Sequence, residues 1–188
     1  TSGGIVRDQF PHEARVQLAR QIAGQYWGQQ LVAASSRDQW ITDALSGAYA
    51  AFYLRSAVGV SAYQEHMESI QRRLESPREF SAAPGANAVW KRTDATRLLS
   101  LTAAPAYTDV PASIRADYGT YVLASMLRPR LGDAVFFAAL EQFAAQYAGQ
   151  TVTTEELQTA FELTAGADLS AFFETWIHGG AIPALSLQ

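Results

Sequence analysis

The sequence predicts an all-α fold. Apolar residues recur at intervals of three and four along most of the 188 residues, which is the spacing of a buried helix face. Glycines, prolines and capping residues separate these periodic stretches, as helix ends require. The terminal stretch AIPALSLQ alternates instead, which predicts one short strand that would need a partner strand.

Three helices are predicted in the first part of the chain. Pro11 suits the first turn of a helix that runs to Gly28, because the first turn needs no amide hydrogen from it. Capping residues at 36–38 begin a second helix, which Gly59 ends. Ser61 then caps a third helix, AYQEHMESIQRRLES.

The second predicted helix has small residues on one face. Such a face lets another helix approach closely, because it carries little side-chain volume. We therefore expect a neighbouring helix to pack against the stripe Trp40, Ala44, Gly47 or Ala48, and Ala51.

The middle of the chain is predicted to be mostly irregular. Two prolines and a glycine fall within PREFSAAPGANAVWKRT, a composition typical of loops. A short helix around TDATRLLSL and the loop APAYTDVPA follow.

Helices resume with ASIRADYGTYVLASMLRPRLG, which ends at Gly132. The next helix begins at Asp133 and closes at Gly149. Thr153 and Glu156 then have the spacing of a capping box at the start of TTEELQTAFELTAG. A final short helix covers DLSAFFETWIHGG.

The composition fits a single globular domain over residues 1–188, with 48% hydrophobic and 17% charged residues. A net charge of −4 without a basic run argues against a nucleic acid partner. The absence of cysteine excludes disulfides and thiolate metal sites. No apolar run reaches the length of roughly 18–20 residues that spans a membrane. Alanine abundance and a single lysine, Lys91, predict a GC-rich bacterial source, and they leave the compartment open.

The three histidines lack the spacing of metal ligands. His12 and Glu13 begin an H-E-x-x pattern, but its fifth residue is Val16. We interpret His12 as part of a solvated first turn, His66 as a surface residue between two glutamates, and His178 as a structural residue at a helix C-terminus.

The stretch ARQIAGQYWG, followed by WITDA, resembles the active-site segments of the M1 zinc aminopeptidases, which belong to the gluzincins. That family has H-E-x-x-H-Q-aromatic-aromatic-G and then W-x-x-E-G, with the glutamate nineteen residues after the second histidine. Asp43 lies nineteen residues after Gly24 here. Two later stretches, MLRPRLGDAVFFAAL and the chain from TVTTEELQ to PALSL, also resemble the family.

The resemblance implies the helical lobe of a thermolysin-like catalytic domain, a zinc cofactor and a glutamate base. At the matching positions this sequence has Arg20 for the first histidine, Gln21 for the glutamate, Gly24 for the second histidine and Asp43 for the third ligand. Arginine has no acceptor to offer a metal, and zinc sites need three protein ligands. We therefore expect that zinc and the base are lost.

Two further expectations concern the rest of the family site. The tyrosine that stabilises the oxyanion aligns with Asp117, and its neighbour Tyr118 is interpreted as a vestige displaced by one residue. We also expect the cation of Arg20 to fold across Gly24 toward Asp43 in place of the metal charge. The family's G-x-M-E-N segment and sheet are absent, which suggests a fragment of a larger protein.

The resulting function hypothesis is a catalytically inactive peptidase-like domain that acts as a scaffold or binds a peptide or protein in the former cleft. The aromatic residues near that cleft are expected to be core residues more often than ligand contacts: Tyr26, Trp27, Trp40 and Tyr49. The alternative is an active metallo-aminopeptidase-type hydrolase with an atypical metal site. A third possibility is a structural spacer in a secreted or envelope-associated protein.

Overall fold

The computed structural model describes residues 12–75, 100–102 and 112–179. The irregular segment predicted at 77–93, nearly all of the short helix and loop after it, and the predicted strand at 181–188 lie outside the described residues. The elements follow in the order α1 (His12–Gln30), β1 (Leu31–Ala33), α2 (Trp40–Ala57), α3 (Val60–Glu75), α4 (Ala112–Tyr121), π1 (Val122–Leu127), α5 (Arg128–Leu131), α6 (Asp133–Gln146), β2 (Gln150–Val152), α7 (Thr154–Ala165), α8 (Ser170–Phe173) and π2 (Glu174–His178).

The all-α prediction is confirmed. The described part of the chain adds one feature that the sequence did not predict, a parallel pair formed by β1 and β2. Val32 lies opposite Thr151 in this pair, and the amide of Ala34 donates to the carbonyl oxygen of Val152 at 2.9 Å. Strands of three residues are too short to give an alternating pattern, which explains why they were missed. No helix among the described residues is long and apolar enough to cross a membrane.

Helix α2 lies at the centre of the helical packing and contacts α1, α3 and α4. Two of its small residues, Ala44 and Gly47, face α4, so the predicted close approach of a neighbouring helix is confirmed. A Cβ atom added to Gly119 of α4 would lie 2.8 Å from the Cβ of Ala44, and one added to Gly47 would collide with the Thr120 side chain. The two helix backbones therefore approach each other closely because glycine stands at both contact points.

The predicted starts of two helices need correction. Helix α2 begins at Trp40 without a side-chain cap, because the Asp38 carboxylate is used elsewhere. It accepts hydrogen bonds from Ser35 Oγ at 2.6 Å and from the amide of Thr154 at 2.9 Å. Asp38 thus joins the start of α2 to the start of α7. Helix α3 begins at Val60, so Ser61 lies inside that helix rather than capping it.

The predicted helix ends are close to the observed ones. Helix α1 continues two residues beyond Gly28, to Gln30. Gly132 has a φ of +80° between α5 and α6, and Gly166 has a φ of +61° at the end of α7. Both values favour glycine, which has no Cβ to clash.

The capping box at the start of α7 is also confirmed. The amide of Glu156 donates to Thr153 Oγ1 at 3.2 Å, and the Glu156 carboxylate accepts from the amide of Thr153 at 2.8 Å.

The helical stretch from Ala112 to Leu131 contains the π-helical turn π1, which the sequence did not predict. A second π-helical segment, π2, extends α8. Both π-helical segments contribute side chains to the aromatic and aliphatic core. The largest fully buried side chains of this core include Trp27, Tyr118, Phe136, Phe143, Phe161 and Phe173.

Candidate functional site

Helix α1 carries two of the residues that align with metal ligands, and they lie one turn apart. Gly24 packs near α2, where an added Cβ would lie 3.5 Å from Ser46 Oγ. This is an ordinary van der Waals distance, so packing alone does not demand glycine. Arg20 lies one turn before Gly24, and its side chain is 29% exposed.

The ion pair of Arg20 differs from the expected one. Its Nη1 lies 3.7 Å from Oδ1 of Asp117 on α4, and its salt bridge within the described residues is with Asp117 rather than Asp43. Arg20 is nevertheless close enough to Asp43 for its charge to lower the pKa of that carboxyl group. The expected cation is therefore at this site, but a different carboxylate pairs with it.

Asp117 is the most firmly held carboxylate of the site. It is 5% exposed, and its Oδ2 accepts a hydrogen bond of 2.8 Å from Nε of Arg73 on α3. Nη1 of Arg73 also donates to Ser69 Oγ at 2.6 Å. Through Arg20 and Arg73, Asp117 joins α1, α3 and α4.

Asp43, on α2, is half-buried. Burial raises its pKa, while the charges of Arg20 and Arg115 and a hydrogen bond from Gln39 oppose that rise. Burial lowers the pKa of Arg115, and the charge of Asp43 counteracts this. Nη2 of Arg115 donates to the carbonyl oxygen of Leu101 at 2.7 Å.

We call this group the arginine–aspartate cluster: Arg20, Asp43, Arg73, Arg115 and Asp117. The sequence analysis singled out Arg20 and Asp43, and it mentioned Asp117 only for its alignment. It missed Arg73 and Arg115. A signal for Asp117 existed, because a charged residue interrupts a run of otherwise uncharged buried positions, from Ala116 to Ala124.

The interpretation of His66 as a surface histidine is wrong. His66 is half-buried on α3. Burial lowers its pKa, and the charges of Arg73 and Arg20 lower it further, while Asp117 raises it. The side chain therefore belongs to the surroundings of the cluster.

The other two histidines lie where the sequence placed them. His12 is exposed in the first turn of α1. Nδ1 of His178 lies 3.1 Å from Thr102 Oγ1, which fits a structural role. Within residues 12–75, 100–102 and 112–179 there is no group of three or more His, Asp or Glu side chains that could hold a metal ion.

Tyr118, the expected vestige of the oxyanion tyrosine, is fully buried. Its hydroxyl donates to the carbonyl oxygen of Trp176 at 2.8 Å, and burial raises the pKa of the phenol. The hydroxyl thus ties α4 to π2. A vestigial role for Tyr118 stays a prediction.

The three aligned ligand positions do not fit a zinc ion. Zinc is held by imidazole, thiolate or carboxylate groups. A guanidinium has no acceptor, and glycine has no side chain, so among Arg20, Gly24 and Asp43 only the carboxylate could bind a metal.

Some aromatic residues near the site are core residues and others line a groove. Trp27 and Trp40 are each 2% exposed. Trp27 packs edge-on against Tyr26 and Tyr49, with ring centroids 5.1 and 5.2 Å apart. Tyr26 and Tyr49 also line an apolar groove of about 1040 Å³ between α1 and α2. The core expectation therefore holds for the two tryptophans, while Tyr49 is half-buried against the core and Tyr26 is exposed.

The fold is that of the helical part of M1 zinc metallopeptidases. The structural neighbours reach TM-scores near 0.7 at identities below 25%, so the likeness concerns the fold. No protein-family model matches the chain, and no curated protein matches it either.

Three solved structures define this likeness. An M1 zinc metallopeptidase of Deinococcus radiodurans has 22% identity and a TM-score of 0.67, over 91% of this chain and 34% of that one. A variant from the same organism bound to a Tyr-Ser-Ala substrate has 21% identity and a TM-score of 0.68, over 90% and 34%. A two-domain M1 variant bound to L-tryptophan has 21% identity and a TM-score of 0.69, over 92% and 35%. The chain thus spans about a third of each of these proteins.

Proposed function

We propose that this chain is a catalytically inactive peptidase-like domain that binds a peptide or a protein segment. The observation that carries the proposal is the position of Arg20. Arg20 aligns in sequence with the family's first ligand position, and its guanidinium lies 3.7 Å from Asp117. A fixed cation there would repel a divalent metal, since like charges a few ångströms apart interact strongly at a partly buried site.

The carboxylates of the cluster already have cationic partners. Asp117 is buried and is paired with Arg73 and Arg20, which compensates a charge that would otherwise be costly to bury. The position of the family's base is Gln21, whose amide takes no proton from water at neutral pH. The proposed loss therefore covers both the metal and the base.

Binding without catalysis is supported by an apolar groove between α1 and α2. The groove between α1 and α2 is lined by accessible apolar side chains, including Leu18 and Ile22, which are 59% and 60% exposed. Ligand sites in proteins are mostly concave and apolar with a few polar groups. One similar M1 variant was crystallised with a tripeptide substrate, and this makes a peptide the first ligand to test.

One observation favours the alternative, an active hydrolase with an atypical metal site. His66 lies near enough to Asp117 for that carboxylate to raise its pKa, so an imidazole and a carboxylate are neighbours. The charges of Arg73 and Arg20 act on the same imidazole and oppose a metal there. We therefore retain the inactive domain as the proposal.

A variant with the family's residues restored tests the proposal. It combines Arg20→His, Gln21→Glu, Gly24→His and Asp43→Glu, and its thermal unfolding is compared with that of the wild type with and without zinc. A ligand that binds only the native state raises the unfolding temperature by mass action. We expect zinc to stabilise the restored variant and to leave the wild type unchanged. Zinc stabilisation of the wild type, abolished by His66→Gln, would support the alternative.

A further inference from the structure

We infer that the arginine–aspartate cluster binds the carboxylate of a peptide ligand, and that Arg20 is the residue that contacts it. This inference rests on the proposed function and names the ligand group that the site recognises. It follows from three properties of the described residues: unused hydrogen-bond donors of Arg20, its weak pairing within a cluster that has more arginines than carboxylates, and the partial exposure of its side chain.

Arg20 has donors that the described residues do not use. Arg73 donates from Nε to Asp117 and from Nη1 to Ser69, and Arg115 donates from Nη2 to Leu101. A guanidinium has five N–H donors, yet within the described part of the chain Arg20 makes no hydrogen bond. Its nearest carboxylate oxygen lies at 3.7 Å, beyond hydrogen-bond length.

The charge balance of the cluster also favours an anion. Three guanidinium groups face two carboxylates among the described residues. Both oxygens of Asp117 are directed to arginines, Oδ2 to Arg73 and Oδ1 to Arg20. Of the two arginines paired with Asp117, Arg20 has the longer contact, 3.7 Å against 2.8 Å for Arg73, so its charge is the more weakly paired.

The Arg20 side chain is partly exposed on the surface of α1, where it keeps 29% of its area accessible. An accessible, planar guanidinium with unused donors matches a carboxylate, which it can hold through two parallel hydrogen bonds.

Peptide carboxylates have two sources, the C-terminus and acidic side chains. The test therefore titrates the 188-residue chain with four probes, followed by calorimetry and by chemical shifts. The probes are Tyr-Ser-Ala, its C-terminal amide, its N-acetyl form, and the amide of Tyr-Glu-Ala. If Arg20 holds the C-terminus, amidation weakens binding roughly 10-fold or more, while acetylation changes it little. If it holds a side chain, the amide of Tyr-Glu-Ala binds and the amide of Tyr-Ser-Ala does not.

Variants then assign the contact. Arg20→Gln should weaken binding of the carboxylate probe by roughly 10- to 100-fold, and Arg20→Lys should recover part of it, because lysine keeps the charge but loses the planar fork. Arg72→Gln is the matched control, since Arg72 is 65% exposed and pairs with Glu68 in its own helix. Circular dichroism confirms that each variant is folded.

Two groups of outcomes would overturn this inference. One is that no probe binds up to its solubility limit, or that Tyr-Ser-Ala and the two peptide amides all bind with equal affinity. The other is that Arg20→Gln binds as the wild type does, or that acetylation rather than amidation abolishes binding, which would point to amine recognition by Asp43. Failure of the proposed function is distinguishable, because it would be seen as zinc-dependent cleavage of Tyr-Ser-Ala.

Discussion

At the residue scale, Asp117 connects the arginines of the cluster. It is 5% exposed and accepts a hydrogen bond from Arg73. Its partners lie on helices far away in sequence, so no local pattern predicts the pairing. The sequence did predict a cation at the site from the identity of Arg20, and the fold determined which carboxylate that cation pairs with.

Replacing Asp117 by asparagine keeps the size of the side chain and removes its charge. We expect Asp117→Asn to lower the free energy of unfolding by about 1.5–3 kcal/mol, because hydrogen bonds to charged groups contribute in that range. Urea denaturation measures the loss. Glu68→Gln serves as a control, since Glu68 is exposed and its ion pair with Arg72 spans 4.0 Å. Equal effects of the two substitutions would contradict the assigned role of Asp117.

The lowered pKa of His66 implies that the free energy of unfolding depends on pH. Its pKa in the folded chain lies below the usual value for histidine, chiefly because of burial and then because of the charge of Arg73. The unfolded chain therefore binds more protons at this group, and stability falls as the pH drops below about 6.5. Denaturation at about pH 7.5 and at about pH 5.5 should show a smaller loss for His66→Gln than for the wild type. His12→Gln, at an exposed position, should behave as the wild type, and an unchanged slope for His66→Gln would refute the assignment.

At the element scale, the close approach of α2 and α4 positions Asp43 and Asp117 on neighbouring helices. The sequence predicted this approach from the small residues of α2, and glycine at the contact points is the reason that it holds. The sequence could not predict that α4 is the helix that packs against α2, because these two helices are separated by a long stretch of chain.

A pair of glycine substitutions tests this packing. Gly119→Ala places a Cβ 2.8 Å from that of Ala44, and overpacking of this kind costs about 1–3 kcal/mol. Gly28→Ala meets no atom within 4 Å, so we expect it to stabilise α1 by roughly 0.5–1 kcal/mol, as helix propensity predicts. Thermal unfolding compares the two variants. A stabilising Gly119→Ala would show that the helices are further apart than described.

Asp38 connects the start of α2 with the start of α7, where its carboxylate accepts from the amide and hydroxyl of Thr154. Asp38→Ala should cost about 2–3 kcal/mol, because it leaves these buried donors unsatisfied. Ser35→Ala removes one other hydrogen bond of the same carboxylate and should cost at most about 1.5 kcal/mol. Denaturant unfolding of the two variants measures the difference, and comparable losses would contradict the bridging role.

At the scale of the whole molecule, local signals predicted the helical fold well. The capping box of Thr153 and Glu156 and the glycines at 132 and 166 lie where the chain requires them. The two short strands and the use of Asp38 were not predictable, because each depends on contacts between distant segments. The π-helical turns were not predicted either. The cluster was predicted in part, since residue identity singled out Arg20 and Asp43 but not the partners of Arg20.

The central proposal is that the chain has lost the zinc site expected from its resemblance to M1 peptidases. The most direct measurement is the zinc-to-protein ratio of the wild-type chain after incubation with zinc and extensive dialysis. We predict a ratio near zero, since of the three aligned ligand positions only Asp43 offers a donor atom. A stoichiometric ratio would contradict the claim, and His66 with Asp117 would then be the first residues to replace.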